Sequence, residues 1–237
     1  MKYIVYPNAS MIAENVENIR RRVALACKTA GRKPEDVSLI AVTKTWNSEM
    51  VQAVVQAGIV EVGENYVQEM LEKYEALGST DIRWHFIGHL QTNKVKYIAP
   101  WVYLIHAVDS AALGKEISKR ALQAGRTIPV LIEVNTSGEE SKYGVTPEAV
   151  IPLAQELSKV TNIALEGLMT IGPFLPDPEE SRPAFRKLKE LQKKLQDHGF
   201  TAPHLSMGMT NDFEVAIQEG ATIVRVGTAI FGKRIKR

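Results

Sequence analysis

The chain has a single cysteine, Cys27, among 237 residues. One thiol cannot form an intrachain disulfide, which suits a reducing cytoplasm. Cys27 lies in an amphipathic helical stretch and reads as a small packed hydrophobe. No run approaches the ~20 apolar residues of a membrane span. The opening MKYIVYPNAS lacks the apolar stretch of a secretory leader. A net charge of +2 is too small to argue for nucleic acid or an anionic membrane. The basic ending GKRIKR is short and reads as a solvated tail. His85 and His106 show no recognisable metal spacing with each other or with His89, so both are expected to be structural. Linkers, repeats and low-complexity segments are missing too, so residues 1–237 are expected to form one domain.

What is present is alternation, in a chain of ordinary globular composition (45% apolar, 24% charged). Ser10 is placed to cap a first helix running to about residue 30, with Gly31 to close it. Eight apolar runs follow, each succeeded by a helical pattern. They are about 38–44, 59–62 and 82–87, then WVYLIHAV, IPVLIEVN, IALEGLM, HLSMG and TIVRVG. Helix starts fall at Asn47 or Ser48, Ser110, Thr146-Pro147 and Asp212. GPFLPDPEESRP, after the sixth run, reads as a longer surface loop. Regular βα alternation argues for a parallel sheet. Eight units in a chain of this length argue for a closed (β/α)8 TIM-like barrel with an extra N-terminal helix. An open doubly wound sheet is the alternative.

Barrel active sites lie at the C-terminal ends of the strands, and phosphate often binds after strands seven and eight. Those ends carry Ser206-Met207-Gly208 and Gly227-Thr228. Small residues let backbone N–H groups approach an anion, Ser206 and Thr228 add hydroxyls, and a helix opening at Thr228 adds its dipole. Lys44 ends the first strand. By period-two alternation it shares a face with Ile40 and Val42, so it points into the mouth above an apolar floor. Desolvation and neighbouring cations favour the neutral amine, which attacks carbonyls. A Schiff-base lysine facing a phosphate cradle fits a sugar-phosphate aldolase or pyridoxal 5′-phosphate (PLP). Arg225 shares the inward face of the last strand with Ile223 and Gly227. It serves neither acid nor base duty for an aldolase, but it can donate to a pyridine nitrogen and keep that nitrogen unprotonated. An internal ion pair with Glu133 is its other reading. Asn65 either hydrogen-bonds the cofactor or caps the next helix. Glu64 and Asp109 read as helix-start carboxylates, and NTSGEESKYGV as a loop over the mouth.

Taken together, several segments resemble the pyridoxal phosphate homeostasis proteins. These are AVTKT around Lys44, VGENYVQE, WHFIGHLQTNK, HAVDS, NTSGEESKYGV, GLMTIG, LSMGMTNDFEVAI and VRVGTAIFG, in that order. The family is similar to the barrel domain of alanine racemase and fold-type III PLP enzymes. The resemblance implies PLP held as a Schiff base on Lys44. It places Ser206, Gly227 and Thr228 at the phosphate and Arg225 at the pyridine nitrogen, with Asn65 and Met207 nearby. It also implies a cytoplasmic role in PLP (vitamin B6) and amino-acid homeostasis without turnover. Alanine racemase needs a second domain to supply a partner tyrosine, and this chain, ending at Arg237, is expected to leave no room for one. PLP-dependent apoenzymes are the implied partners, and a monomer the expected state. The alternative is a PLP-dependent amino-acid racemase or lyase, with Tyr66 and Tyr143 the tyrosines on hand.

Overall fold

The computed structural model describes residues 7–78, 81–139, 142–173 and 175–233. Residues 1–6 of the opening MKYIVYPNAS and the last four residues of the GKRIKR tail lie outside the described residues. The first helix, α1 (Ala9–Thr29), buries Ile12, Val16, Ile19, Val23 and Cys27, the spacing of one helical face. Its cap is Asn8, whose side chain accepts from the Met11 N–H at 2.9 Å. Ser10, expected there, falls inside the first turn. Gly31 leaves the helix at φ +65, where glycine costs least.

Eight βα units follow in chain order: β1 (Ser38–Val42), α2 (Ser48–Gln56), β2 (Glu61–Glu64), α3 (Val67–Leu77), β3 (Arg83–Phe86), α4 (Val95–Ile98), β4 (Leu104–Val108) and α5 (Ala111–Gln123). The second half holds β5 (Ile128–Glu133), α6 (Val150–Ser158), β6 (Ile163–Met169), α7 (Arg182–Asp197), β7 (His204–Ser206), α8 (Phe213–Gln218), β8 (Ile223–Val226) and α9 (Thr228–Phe231). The strands form a closed barrel in sequential order. β1 and β8 complete it in parallel, from Ser38 opposite Ile223 to Ala41 opposite Val226. The open-sheet alternative is thereby excluded. All strand C-termini converge on one mouth.

Two strands start later than the apolar runs suggest, for the same reason. The Ile59 N–H bonds back to Val54 O at 3.1 Å, so Ile59 belongs to the end of α2 and the ladder opens at Glu61. Trp101 and Val102 likewise donate to Ile98 O, prolonging the turn after α4. Apolar content marks burial, whereas ladder membership depends on where each N–H goes.

The apolar core has two shells. One lies between barrel and helices and includes Cys27. The other fills the barrel itself, from Ile40, Leu104, Ala107, Leu131, Met169 and Ile223. This inner cluster forms the floor beneath the mouth. Among the described residues no helix is long and apolar enough to cross a membrane.

Candidate functional site

Lys44 stands two residues beyond the end of β1, in a turn, not on the strand as its pattern suggests. The turn needs Thr45 at φ +69, a left-handed conformation that a β-branched residue adopts only under constraint. The constraint is a buried ion cluster. Lys73 Nζ, on α3, donates to Glu64 Oε1 at 2.6 Å, to Glu69 Oε1 at 2.8 Å and to Thr43 O at 2.8 Å. The Thr43 hydroxyl donates to the same Glu64 oxygen at 2.5 Å, and the Thr45 N–H donates to Glu69 Oε1. Both neighbours of Lys44 are thus pinned. Glu64 is therefore not a helix-start carboxylate: it ends β2 with no exposed surface. Burial raises its pKa, against the pull of Lys73.

Lys44 lines a cavity of about 720 Å³ at the mouth, together with Asn65, Arg225, Gly227 and Thr228. Arg225 is 4% exposed. Its Nη1 donates to Ser206 Oγ at 2.5 Å and its Nη2 to Thr170 O at 2.8 Å. Desolvation lowers its pKa to about 10, with Glu133 and Asp212 opposing, so it remains a cation at neutral pH. The alternative reading of Arg225, an ion pair with Glu133, is not among the contacts of the described residues. Glu133 lines a neighbouring cavity instead and acts on Arg225 only across space. Burial pushes the Glu133 carboxyl up to about 7, with Arg225 opposing and Asp109 adding to the rise.

On the far side, Gly208 at φ +90 leaves no room for a side chain: a Cβ there would stand 2.5 Å from Ala216 Cβ. A Cβ on Gly227 would press on Val42 O at 3.2 Å. The loops after β7 and β8 are fastened together, since the Ala229 N–H donates to Thr210 Oγ1 at 3.3 Å. The Met209 N–H donates to Asp212 Oδ1 at 2.7 Å. The Ile230 and Phe231 N–H groups both donate to Gly227 O, at 2.9 and 3.0 Å, so the first turn of α9 closes on Gly227 and sets the Thr228 hydroxyl at the cavity wall.

Asn65 does not cap the next helix. The cap of α3 is Tyr66, which makes no side-chain capping bond. Asn65 Oδ1 is buried and, among the described residues, has no hydrogen-bond partner. A polar atom left this way in a cavity wall costs stability unless something fills the place.

Five of the seven expected residues meet in this cavity. Ser206 and Met207 do not line it. Ser206 is level with Ile223 in the β7–β8 pairing, one layer below Arg225, and its fully buried hydroxyl is engaged by Arg225 and His106. The Met207 side chain packs in the outer shell. His85 and His106 are buried and hydrogen-bonded to each other at 2.9 Å. Asp109 lies 3.6 Å from His89. In the 135–145 loop, Asn135 donates to Glu139 O at 2.8 Å, and Tyr143 stacks on His89 at 4.2 Å. Residues 140–141 of that loop lie outside the described residues. Tyr66 and Tyr143 line the neighbouring cavity, not the one around Lys44. Sequence reasoning missed Thr210 and Asp212, although MTND directly follows the glycine turn. It also missed Ile171, Pro173 and Leu175, which wall the cavity from the proline-rich loop; Phe174 in that loop lies outside the described residues.

Comparison with known proteins agrees with this architecture. The family model described as alanine racemase, N-terminal domain, matches residues 12–234. The chain is 49% identical over 222 residues to a pyridoxal phosphate homeostasis protein of Aquifex aeolicus, covering 93% of this chain and 97% of that protein. Among solved structures, PipY of Synechococcus elongatus, with PLP bound, superposes at TM-score 0.81 and 32% identity, covering 93% of this chain and all of that one. An alanine racemase of Clostridium difficile shares the fold at TM-score 0.71 and 16% identity, covering 94% of this chain and 58% of that one.

Proposed function

The chain belongs to the pyridoxal phosphate homeostasis proteins, within the alanine racemase N-terminal-domain family, and from that premise we propose that its mouth cavity binds PLP for cofactor and amino-acid balance rather than for turnover. The carrying observation is that an amine, a guanidinium and a glycine-lined anion cradle share one cavity: Lys44, Arg225 and Gly227-Thr228. The residues fit the cofactor. Among the described residues Asn65 Oδ1 lacks a partner, Gly227 tolerates no larger residue without displacing Val42, and the Thr228 hydroxyl beside it can donate to a phosphate. When bound, PLP supplies an aldehyde that condenses with an amine and a ring that withdraws electrons.

The Lys44 amine is the group that takes the aldehyde. Gly227, Thr228 and the Thr210 loop hold the phosphate end. Arg225, fixed by two hydrogen bonds, meets the ring nitrogen with a donor and so keeps a proton off it. Asn65 contributes polar contact at the rim. Ser206 supports Arg225 from below, and Met207 supports the loop through packing. All of these lie in one barrel domain spanning 1–237. The absence of turnover is supported by the tyrosines: Tyr66 and Tyr143 are 61% and 60% exposed and line the other cavity, so neither is built in opposite Lys44. Apoenzymes that use PLP are the partners this reading implies, with the protein a cytoplasmic monomer.

Titrating PLP into the purified protein, with absorbance and equilibrium dialysis as readouts, tests the proposal. One equivalent is expected to bind with a colour that Lys44→Ala abolishes, and amino acids are expected to show no sustained exchange of the α-hydrogen with solvent deuterium. Steady exchange would make the protein a racemase or lyase. A colourless protein trapped by borohydride only with a sugar-phosphate would make it an aldolase.

A further inference from the structure

We propose that His106 and His85 are positioning residues for Arg225, acting through Ser206 along a one-directional hydrogen-bond chain inside the barrel. The proposal rests on the reading above only for what Arg225 faces. Ser206 Oγ lies 2.5 Å from Arg225 Nη1 and 2.9 Å from His106 Nδ1. His106 Nε2 lies 2.9 Å from His85 Nδ1. His85 Nε2 comes 3.6 Å from Glu61 Oε2 and has no hydrogen-bond partner among the described residues. The chain thus starts at the mouth and ends at the first residue of β2.

Its direction follows from donor and acceptor inventory. A guanidinium only donates, so Ser206 Oγ accepts from Arg225. The buried Ser206 hydroxyl then has one hydrogen to place, and His106 Nδ1 is the acceptor within reach. That puts the His106 proton on Nε2, which donates to His85 Nδ1. The His85 proton is therefore also on Nε2, facing the Glu61 carboxylate. The opposite direction would strand the Ser206 hydrogen and turn a bare imidazole nitrogen toward a carboxylate. Both rings are kept neutral by burial first, with the Arg83 guanidinium adding to it at His85 and that of Arg225 at His106. The consequence for the site is orientation. With its hydrogen committed to His106, Ser206 presents a lone pair to Arg225. Thr170 O holds the other terminal nitrogen at 2.8 Å, so the guanidinium cannot turn.

Two measurements test this. In the unmodified protein without cofactor, ¹⁵N-imidazole NMR should show His85 and His106 as neutral Nε2–H tautomers from pH 5 to pH 8. An Nδ1–H tautomer or an imidazolium at His106 would overturn the chain. Second, His106→Leu should weaken PLP binding about tenfold by removing one buried hydrogen-bond partner. His106→Asn, whose Oδ1 can replace Nδ1 as acceptor, should recover most of that. In an Arg225→Gln background His106→Leu should change nothing further, because its effect runs through Arg225. Equal losses in both backgrounds would mean a merely structural histidine. If the unmodified protein binds no PLP, the proposed function fails, while the tautomers still decide the chain.

Discussion

A carboxyl group ionises reluctantly where water cannot reach it, and Glu133 is such a group. Its pKa of about 7, against the ordinary 4.5, means the folded protein holds a proton that the unfolded chain releases. Glu133 therefore disfavours folding progressively as pH rises from about 4.5 through 7. The difference corresponds to about 3 kcal/mol once both states are ionised. Glu133→Gln should accordingly gain stability on the unmodified protein, by up to about 3 kcal/mol, between pH 4 and pH 8. Urea midpoints across that range check it; a constant offset would contradict it. At this scale the sequence disclosed which side chains face inward, not how deep each sits. Lys44, Asn65, Arg225, Gly227 and Thr228 were legible because strand ends of a barrel converge. Ser206 was misplaced relative to the cavity because the β7–β8 register, which sets its layer, leaves no local signal.

The turn holding Lys44 is built by β1, β2 and α3 acting as one unit. Lys73 is the common donor to Glu64, Glu69 and the Thr43 carbonyl. Lys73→Met would leave Glu64 buried without its countercharge, a loss of about 3–5 kcal/mol. It should also loosen the turn, so PLP retention should fall although Lys73 does not line the cavity. Chemical denaturation and dialysis on the same variant check both effects, and a variant with normal stability and retention would refute the clamp. None of this was readable from VGENYVQE, where Glu64 resembles any acidic residue before a helix. The spacing from Glu64 to Lys73 acquires meaning only when β2 and α3 fold back to back. Two helix starts fared better because capping is local: Asn47 and Ser110 each accept from the N–H three residues on, as their sequence positions suggest, whereas Asn8 and not Ser10 caps α1.

At the scale of the molecule, closure makes one cavity out of residues spread from Lys44 to Thr228. The alternation of eight βα units was the strongest signal in the chain, since it rests on many residues rather than any one. Closure was an inference from number, made real by β1 pairing with β8. The inner cluster around Ile40 supports the mouth from within, so its repacking should be felt everywhere. Ile40→Ala, at a site with no exposed surface, should cost about 2–5 kcal/mol. The loss should appear as a lower midpoint of a single cooperative transition by circular dichroism. Separate transitions for the two halves would show that the barrel does not behave as one unit.

All of this depends on the amine just past the first strand and the cradle after the last two strands gripping one molecule from opposite sides. Borohydride reduction of the PLP-loaded protein, followed by peptide mass mapping, reads that directly. The account predicts the pyridoxyl-phosphate increment on the peptide containing Lys44 and its loss in Lys44→Ala; an increment on any other lysine would contradict it.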